Sequence, residues 1–233
     1  MSLDRNSEGQ PTLRLVVFDW DGTLMDSVGR IVASMQQAID TLGLPRHPPE
    51  VLSNVIGLGL KEALADLYPG QDEQRLEALV QAYRRQFLGD NTVPQRPFAG
   101  ARDSLVWLRE QGVTMAVATG KGRRGLDQVM DEIGFREFFA DSRCADETAS
   151  KPDPLMLQEL MAGLGVEPAQ TLMVGDTEYD MEMAARAGAH ALAASYGVHD
   201  RERLQRWPIL GFLDDIADFP RWWQTQQPGS VAD

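Results

Sequence analysis

Cysteine is almost absent from the sequence, because Cys144 is the only one in 233 residues. A single thiol excludes an intramolecular disulfide and every metal or redox motif that needs a Cys-x-x-Cys pair. The absence of disulfides is consistent with a reducing compartment.

Long apolar runs are missing as well. No run approaches the roughly 18 residues that a membrane-spanning helix needs, so no membrane partner is expected. The segment 1–11 is polar and has no apolar stretch flanked by basic residues, which is unlike a secretory signal. We therefore expect a cytoplasmic protein whose N-terminal residues, about the first ten, form a disordered tail.

Positive charge is in short supply. Lysine and arginine total 22 against 35 aspartates and glutamates, which gives a net charge of -13. A surface of this kind repels polyanions, so nucleic acid is not an expected partner. Lysine is the scarcer cation, since Lys61, Lys121 and Lys151 are the only three. Nothing in the sequence points to an obligate protein partner.

The length exceeds the roughly 150 residues of one domain without reaching two, which favours one domain with an insertion. Apolar runs predict buried strands at 13–18, 113–118 and 171–174, with further strands at 191–195 and near 209–213. Amphipathic helical segments alternate with these runs, so we predict an α/β fold around a parallel sheet. An aromatic cluster that includes Phe219, Trp222 and Trp223 predicts a docked terminal helix.

Residues 29–96 follow a different pattern. Three helical segments, 31–42, 61–68 and 72–88, succeed one another there with no convincing strand between them. We therefore predict a core made of residues 1–28 and 97–233, with a helical insertion over 29–96. Glycine and proline at both edges of the insertion could act as hinges.

Chemically active side chains follow the predicted strands. In open parallel sheets, ligands bind outside the carboxyl ends of the strands. Each segment has a simple structural explanation when taken alone, such as an Asp-Gly turn or a helix cap at Asp153, Asp176 or Thr177. The segments are Asp19-Trp20-Asp21-Gly22-Thr23, Thr119-Gly120-Lys121, Lys151 just ahead of a helix, and Gly175-Asp176-Thr177-Glu178-Tyr179-Asp180.

Taken together, these segments indicate one chemistry. Asp19, Asp176 and Asp180 would bring carboxylates to one point, which is unfavourable unless a cation lies among them. Hard oxygen ligands favour Mg²⁺ as that cation. The hydroxyl of Thr119 and the ammonium of Lys151 would be donors for an anion with several oxygens. A metal and donors around such an anion indicate phosphate.

The four segments resemble the signature motifs of the haloacid-dehalogenase-type superfamily of phosphohydrolases. The resemblance is to the subgroup of phosphoglycolate phosphatases and beta-phosphoglucomutases, and it covers nearly the whole chain. It implies a Rossmann-like parallel sheet core with an inserted α-helical cap over the active site. It also implies a Mg²⁺-dependent phosphatase that acts on a small phosphorylated metabolite.

The resemblance assigns a role to each motif residue. Asp19 would be the nucleophile that becomes an aspartyl phosphate, and Asp21 would be the general acid and base. The Asp19 side chain, the Asp21 backbone carbonyl, Asp176 and Asp180 would form the metal site. Thr119 and Gly120 would bind the phosphoryl oxygens, while Lys151 would neutralise the charge that moves between Asp19 and the phosphoryl group. Gly22 would let the chain turn.

The insertion carries the candidate residues for substrate selection. The segment Val55-Ile56-Gly57-Leu58-Gly59-Leu60-Lys61 resembles the specificity loop of the subgroup. Its glycines would permit close backbone approach, and Lys61 would either reach an anionic end of the substrate or remain a solvated helix residue. Arg46 and His47 are weaker candidates, for which surface roles are favoured.

Rival functions depend on particular residues. Asp21 argues against carbon–halogen chemistry, because dehalogenases do not use an acid at that position. Trp20 and Lys61 fit a phosphonoacetaldehyde hydrolase, but Asp21 stands where that family has alanine. A sugar-phosphate mutase would need the same core residues, and beta-phosphoglucomutases usually carry an arginine near the position of Leu60. A catalytically silent binding protein would have lost Asp19 or Asp21.

The fourth motif bears on the choice of substrate. Phosphoglycolate phosphatases often have a basic residue where this chain has Glu178. An acid there would not favour a small dianion, which weakens the expectation for phosphoglycolate itself.

Overall fold

A six-stranded parallel sheet forms the centre of the protein. The computed structural model describes residues 13–89 and 92–226, so the tail predicted for the first ten residues lies outside the described part. The strands follow the order β5-β4-β1-β6-β7-β8, with β1 in the interior between β4 and β6. They are β1 (Leu15–Phe18), β4 (Thr114–Thr119), β5 (Asp141–Cys144), β6 (Thr171–Gly175), β7 (His190–Ala194) and β8 (Phe212–Leu213).

Helices cover both faces of this sheet. Side chains alternate along a strand, so Val16 and Phe18 of β1 belong to one apolar cluster while Leu15 and Val17 belong to the other. The sheet is therefore buried on both sides, as a parallel sheet requires. The helices outside the predicted insertion are α5 (Ala101–Glu110), α6 (Arg123–Ile133), α7 (Leu155–Leu164), α8 (Glu178–Ala187), α9 (Arg201–Leu204) and α10 (Phe219–Gln226).

Helix α10 is the docked terminal helix that the sequence predicted. Phe219 and Trp223 of α10 are buried and join the same apolar cluster as Phe18 of β1. The Phe18 and Phe219 rings lie 5.8 Å apart. Among the described residues, no helix has both the length and the apolar character to cross a membrane.

A helical unit lies between two short strands, β2 (Met25–Asp26) and β3 (Arg96–Pro97), which pair antiparallel. The four helices of this unit have an apolar cluster of their own, drawn mainly from residues 31–87. The predicted insertion, 29–96, begins and ends next to this pair of strands, and its status as a separate domain remains a prediction. The helices are α1 (Val28–Thr41), α2 (Pro49–Asn54), α3 (Leu60–Leu67) and α4 (Glu73–Leu88).

Strand β5 and helix α2 are among the elements that the sequence did not predict. Strand β5 is polar and reads Asp-Ser-Arg-Cys, and only Cys144 in it is fully buried. It lies at the edge of the sheet, where pairing with β4 rather than burial holds it. Helix α2 follows a proline-rich stretch that was interpreted as a break, but Pro49 occupies its first position, which proline tolerates well.

Candidate active site

The candidate site lies where three neighbouring strands end. Asp19 follows β1, Thr119 ends β4 and Asp176 follows β6, and β1 is hydrogen-bonded to both of the other strands. All three side chains are buried, with at most 1% of each residue exposed. The sheet topology therefore brings together the motifs that the sequence placed far apart.

Glycine is required in the turn after β1. Gly22 has a φ of +88°, a backbone conformation that other residues adopt only with strain. A Cβ atom at Gly22 would also lie 2.3 Å from Oδ2 of Asp176. The turn can therefore pass this carboxylate only if residue 22 has no side chain.

Asp176 is held by two donors. Its Oδ1 accepts a hydrogen bond from the Thr23 hydroxyl at 2.7 Å, and its Oδ2 accepts one from the Val198 amide at 2.8 Å. Burial, together with the nearby Asp180 carboxylate, raises the pKa of Asp176 to about 7. The two hydrogen bonds fix the orientation of the carboxylate, while its burial makes the ionised form costly.

Asp19, Asp176 and Asp180 form a buried acidic trio. One carboxylate oxygen of each lies within 4.8 Å of the others. Burial also raises the pKa of Asp19 well above its usual value, although Lys151 opposes the shift. Oδ2 of Asp19 is buried and has no hydrogen-bond partner among the described residues. Three convergent hard oxygens with an unpartnered acceptor fit a divalent cation such as Mg²⁺.

Lys151 lies against this trio. Its Nζ is 2.7 Å from Oδ1 of Asp19 and 2.6 Å from Oδ1 of Asp180, and its side chain is fully buried. Burial disfavours the ammonium form, but the carboxylates of Asp180 and Asp19 outweigh that effect and raise the pKa of Lys151. The site therefore holds one permanent positive charge beside the proposed nucleophile.

Asp180 has two functions in the structure. Its Oδ2 accepts hydrogen bonds from the amide and the hydroxyl of Thr177, which completes a capping box at the start of α8. Its Oδ1 faces Lys151. The predicted cap at Thr177 is thus confirmed, and the same contacts hold Asp180 beside the trio.

Asp21 has a different environment from Asp19. Ser27 donates a hydrogen bond to its Oδ1 at 2.7 Å, and Nζ of Lys121 lies 3.0 and 2.9 Å from its two oxygens. The carboxylate of Asp21 is not a member of the acidic trio. These contacts place the two aspartates of the first motif in separate surroundings, as different chemical roles require.

Lys121 and Ser27 are functional candidates that sequence reasoning missed. Lys121 was noted only as following the threonine loop, and its partner, 100 positions earlier, cannot be seen in the sequence. Its Nζ also lies 4.5 Å from the centre of the Phe87 ring on α4. Lys121 therefore links Asp21 to the helical unit.

The loop after β4 is closely packed. Oγ1 of Thr119 accepts a hydrogen bond from the Lys121 amide at 3.1 Å. A Cβ atom at Gly120 would lie 2.3 Å from the carbonyl oxygen of Leu58. The backbone of the helical unit thus approaches this loop at a distance that only glycine allows.

The glycines of the segment 55–59 make similar contacts. A Cβ atom at Gly57 would lie 2.9 Å from Oγ1 of Thr177, and Gly57 has a φ of +107°. The Gly59 amide donates a hydrogen bond to Oγ of Ser150 at 2.6 Å. The segment therefore lies directly over the ends of the strands, which matches the close approach expected of its glycines.

Hydrogen bonds to Asn54, the last residue of α2, connect this helix to the sheet-containing part of the protein. The Tyr179 hydroxyl and Nε2 of His199 lie 3.2 and 3.1 Å from the Asn54 carbonyl oxygen. Nδ1 of His199 accepts a hydrogen bond from the Glu178 amide, so Nε2 must carry the proton that it donates to Asn54. Arg203 donates to the Asn54 side chain and pairs with the Glu178 carboxylate. None of these three partners of Asn54 was identified from the sequence as a contact.

Glu178 therefore does not present an uncompensated charge. The Arg203 guanidinium lowers the pKa of Glu178 and keeps it ionised, but also neutralises its charge. The sequence predicted that Glu178 would disfavour a small dianion. That prediction assumed an unpaired acid at this position.

Two of the three remaining candidates of the helical unit, Lys61 and Arg46, are exposed. Nζ of Lys61 pairs with Glu73 at 2.8 Å, and about half of the Lys61 side chain is exposed. Lys61 still lines the cavity described below, so its role toward a substrate remains a prediction. Arg46 pairs with Asp40 on the surface, in keeping with the role favoured for it. His47 packs edge-on against Tyr68.

A cavity of about 780 Å³ lies between the helical unit and the strand ends. Asp19, Asp21 and Thr119 line it on one side, and α1, α4 and the segment 55–60 line it on the other. The volume falls within the range of roughly 300–1,000 Å³ typical of small-molecule sites. Asp19 of the acidic trio and Asp21 thus face a space that can hold a small ligand.

The model of the family described as haloacid dehalogenase-like hydrolase matches residues 16–194. This span is more than half of the chain, so the chain belongs to the haloacid dehalogenase-like hydrolase family. The resemblance and the Rossmann-like α/β core predicted from the sequence are confirmed.

Three named relatives match most of the chain. The probable phosphatase IndB of Dickeya dadantii is 36% identical over 210 residues, which are 88% of this chain and 90% of that protein. A phosphoglycolate phosphatase of Pseudomonas putida is 35% identical over 215 residues, 87% of this chain and 77% of that protein. The N-acetylmuramic acid 6-phosphate phosphatase of Pseudomonas aeruginosa is 30% identical over 212 residues, 90% of this chain and 92% of that protein.

Solved structures share the fold. A hydrolase from Pseudomonas syringae superposes with a TM-score of 0.84 at 22% identity, over 92% of this chain and 99% of that one. A haloacid dehalogenase-like hydrolase from Streptococcus pneumoniae gives a TM-score of 0.79 at 20% identity, over 91% and 99% of the two chains. At these identities the likeness establishes the fold alone.

Proposed function

We propose that the protein hydrolyses the phosphate monoester of a small metabolite through an aspartyl phosphate on Asp19. The observation that carries the proposal is the division of the two aspartates of the first motif. Asp19 lies in the buried trio beside Lys151, whereas Asp21 lies outside it with donors of its own. One carboxylate is thus set up to attack phosphorus and the other to transfer protons.

The first step forms a bond between an Asp19 oxygen and phosphorus and breaks the ester bond. Oδ2 of Asp19 has no hydrogen-bond partner among the described residues, while Oδ1 is paired with Lys151. Asp21 gives its proton to the oxygen of the leaving alcohol. Lys151 stabilises the negative charge that moves between Asp19 and the phosphoryl oxygens.

The second step regenerates the enzyme. Asp21, now ionised, takes a proton from a water molecule, and the resulting hydroxide attacks phosphorus. The bond to Asp19 breaks and inorganic phosphate leaves. Ser27 and Lys121 hold the Asp21 carboxylate in place through both steps.

A divalent metal fits the acidic trio. We propose Mg²⁺, held by the side chains of Asp19, Asp176 and Asp180 and by the backbone carbonyl of Asp21. When bound, it would offset the repulsion among the carboxylates and polarise a phosphoryl oxygen. The buried position and raised pKa of Asp19 and Asp176 support this assignment, because ionised carboxylates at this depth need a compensating charge.

Thr119 and Gly120 are the proposed binding residues for the phosphoryl oxygens. Thr119 is buried at the end of β4, next to the strand that leads to Asp19. Its Oγ1 already accepts from the Lys121 amide, which leaves its hydroxyl proton available for an anion.

The names of the relatives support a phosphatase. Two of these relatives are named for their action on phosphoglycolate and on N-acetylmuramic acid 6-phosphate. The retention of Asp19 and Asp21 opposes a silent binding protein. Asp21 also opposes a phosphonoacetaldehyde hydrolase, and Nζ of Lys61 is paired with Glu73 rather than left free to form a Schiff base. A sugar-phosphate mutase remains the alternative, although Leu60 stands where such enzymes carry arginine. The cytoplasmic location and the absence of nucleic-acid and obligate protein partners remain predictions.

The experiment is phosphate release from a panel of phosphate esters, measured with Mg²⁺ and with EDTA. Wild type is expected to release phosphate only with the metal, while Asp19→Asn is inactive. Asp103→Asn, on the exposed face of α5, is the matched control and should behave as wild type. Release that persists in EDTA would refute the metal dependence. No release from any ester would refute the phosphatase assignment.

A further inference from the structure

The cavity differs on its two sides. Its floor is polar and carries Asp19, Asp21 and Thr119, whereas the buried side chains of its roof are apolar and its charged side chains are exposed. The roof includes Ile31 and Met35 of α1 and Val80 of α4, all of them buried. If Asp21 protonates the leaving oxygen, the rest of the leaving group must extend from the floor toward this roof.

Two aromatic rings stand on the roof close to Asp21. Tyr83 and Phe87 lie one helical turn apart on α4, and their rings stack with centres 5.6 Å apart at 21°. Phe87 also contacts the ammonium of Lys121, which itself pairs with Asp21. The aromatic pair is therefore next to the position where the leaving group begins.

Among the residues that the structure describes, the cations in the inner part of the cavity are already paired. All three lysines of the sequence already have carboxylate partners: Lys121 has Asp21, Lys151 has Asp19 and Asp180, and Lys61 has Glu73. The arginines that line the cavity are Arg84, Arg85 and Arg124, and all three are exposed.

The carboxylate of a two-carbon acid such as phosphoglycolate would lie within a few ångströms of the phosphate. It would therefore meet apolar and aromatic surface and the Lys121 ammonium, for which it would compete with Asp21. Burying a second carboxylate there without a cation of its own is costly. A sugar ring presents a C–H face that packs well on aromatic rings, with hydroxyls that can reach the polar rim.

We infer that the leaving group is an alcohol of sugar-ring size that packs on Tyr83 and Phe87, and that a small acid is a poor substrate. The inference rests on the proposed phosphatase function and gives its substrate class. It also assigns Tyr83 to substrate specificity, a role that a residue outside the four motifs would not receive from the sequence.

The test compares kcat/KM for hexose 6-phosphates and for phosphoglycolate in wild type and variants. Wild type should prefer the best hexose 6-phosphate by about tenfold or more, and Tyr83→Ala should reduce that ratio by about five- to tenfold. Leu60→Trp, which adds volume to the cavity wall, should reduce the ratio in the same direction. Leu60 is partly exposed, so its replacement should not prevent folding. The ratio can therefore still be measured in this second variant if Tyr83→Ala does not fold.

Leu76→Ala is the matched control. Leu76 lies on the same helix as Tyr83 and packs in the apolar cluster of the helical unit, but it does not line the cavity. Its ratio should equal that of wild type. Phosphoglycolate as the better substrate, or an unchanged ratio in both variants, would overturn the inference and leave the phosphatase function intact. No hydrolysis of any ester would instead overturn the proposed function, and the inference with it.

Discussion

Nζ of Lys121 lies 3.0 and 2.9 Å from the two carboxylate oxygens of Asp21, and both side chains are at most 10% exposed. The two residues follow different strands, β1 and β4, which are neighbours in the sheet. The ion pair therefore fixes the proposed acid and base with respect to the nucleophile on the same strand end. It also places the Lys121 ammonium 4.5 Å from the centre of the Phe87 ring of α4.

Removing this ammonium should impair proton transfer more than binding. We expect Lys121→Met to lower kcat for an alkyl phosphate by about 10- to 100-fold, part of the roughly 10²–10⁴-fold that general acid catalysis contributes. The loss should be smaller with p-nitrophenyl phosphate, whose leaving group needs little protonation. Arg109→Met, which breaks a surface ion pair with Glu137, is the control and should leave kcat unchanged. Equal losses with both esters would show that Lys121 does not act through Asp21.

The turn after β1 should be intolerant of any side chain. Gly22→Ala combines a strained φ with a Cβ only 2.3 Å from Oδ2 of Asp176, so it should displace that carboxylate and weaken Mg²⁺ binding. Gly43→Ala is the matched control, because Gly43 also has a positive φ, +60°, but nothing lies within 4 Å of its added Cβ. We expect Gly43→Ala to cost about 1 kcal/mol of unfolding free energy and to leave metal affinity unchanged.

Denaturant unfolding of the two glycine variants measures the cost of the strained φ, which both share. Mg²⁺ titration measures the effect of the clash with Asp176, which only Gly22→Ala has. The prediction fails if Gly22→Ala binds Mg²⁺ as tightly as Gly43→Ala does.

The stability of the metal-free protein should depend on pH through Asp176. Burial and the Asp180 carboxylate raise its pKa from 3.8 to about 7. A carboxyl group with a higher pKa when folded binds more protons in the folded state than in the unfolded state. The loss of unfolding free energy caused by Asp176 is therefore absent below about pH 4, grows as the pH rises, and is complete above about pH 7. Asp19, whose pKa is also raised, acts in the same direction.

Unfolding in EDTA at pH 5 and pH 8 measures this effect. The loss of stability between the two pH values should be smaller in Asp176→Asn than in wild type, because the variant has no charge at this position. Mg²⁺ should stabilise wild type more at pH 8 than at pH 5, and should stabilise Asp176→Asn much less. Identical pH dependence in wild type and Asp176→Asn would contradict the assignment of this cost to Asp176.

Much of the central sheet could be predicted from the sequence, because its interior strands are continuous apolar runs. Strands β1, β4 and β6 are buried on both faces and were predicted within two residues of their observed ends. Strand β5 was not, since its polar sequence is held by pairing at the sheet edge and carries no apolar pattern. Three of the four motifs could be located for the same reason, because each follows a strand that burial makes recognisable, whereas Lys151 was placed only by the helix that comes after it.

The partners within the site could not be predicted. The sequence contains Lys121 and Ser27, but not their common orientation toward Asp21, which depends on the folded positions of β1, β4 and α1. The contacts of Asn54 with Tyr179, His199 and Arg203 join positions more than a hundred residues apart and follow no local pattern. Such pairings arise from tertiary packing, which propensity and periodicity do not encode.

The central claim is that Asp19 carries the phosphoryl group. The most direct measurement is mass spectrometry of acid-quenched Asp21→Asn after mixing with p-nitrophenyl phosphate and Mg²⁺. This variant can still form the phosphoenzyme with a good leaving group, but it lacks the base that hydrolyses it. The account predicts a phosphoryl group on the peptide that contains Asp19, and none when Asp19→Asn is added to the same chain. A phosphoryl group on another residue, or its persistence after Asp19→Asn, would contradict the account.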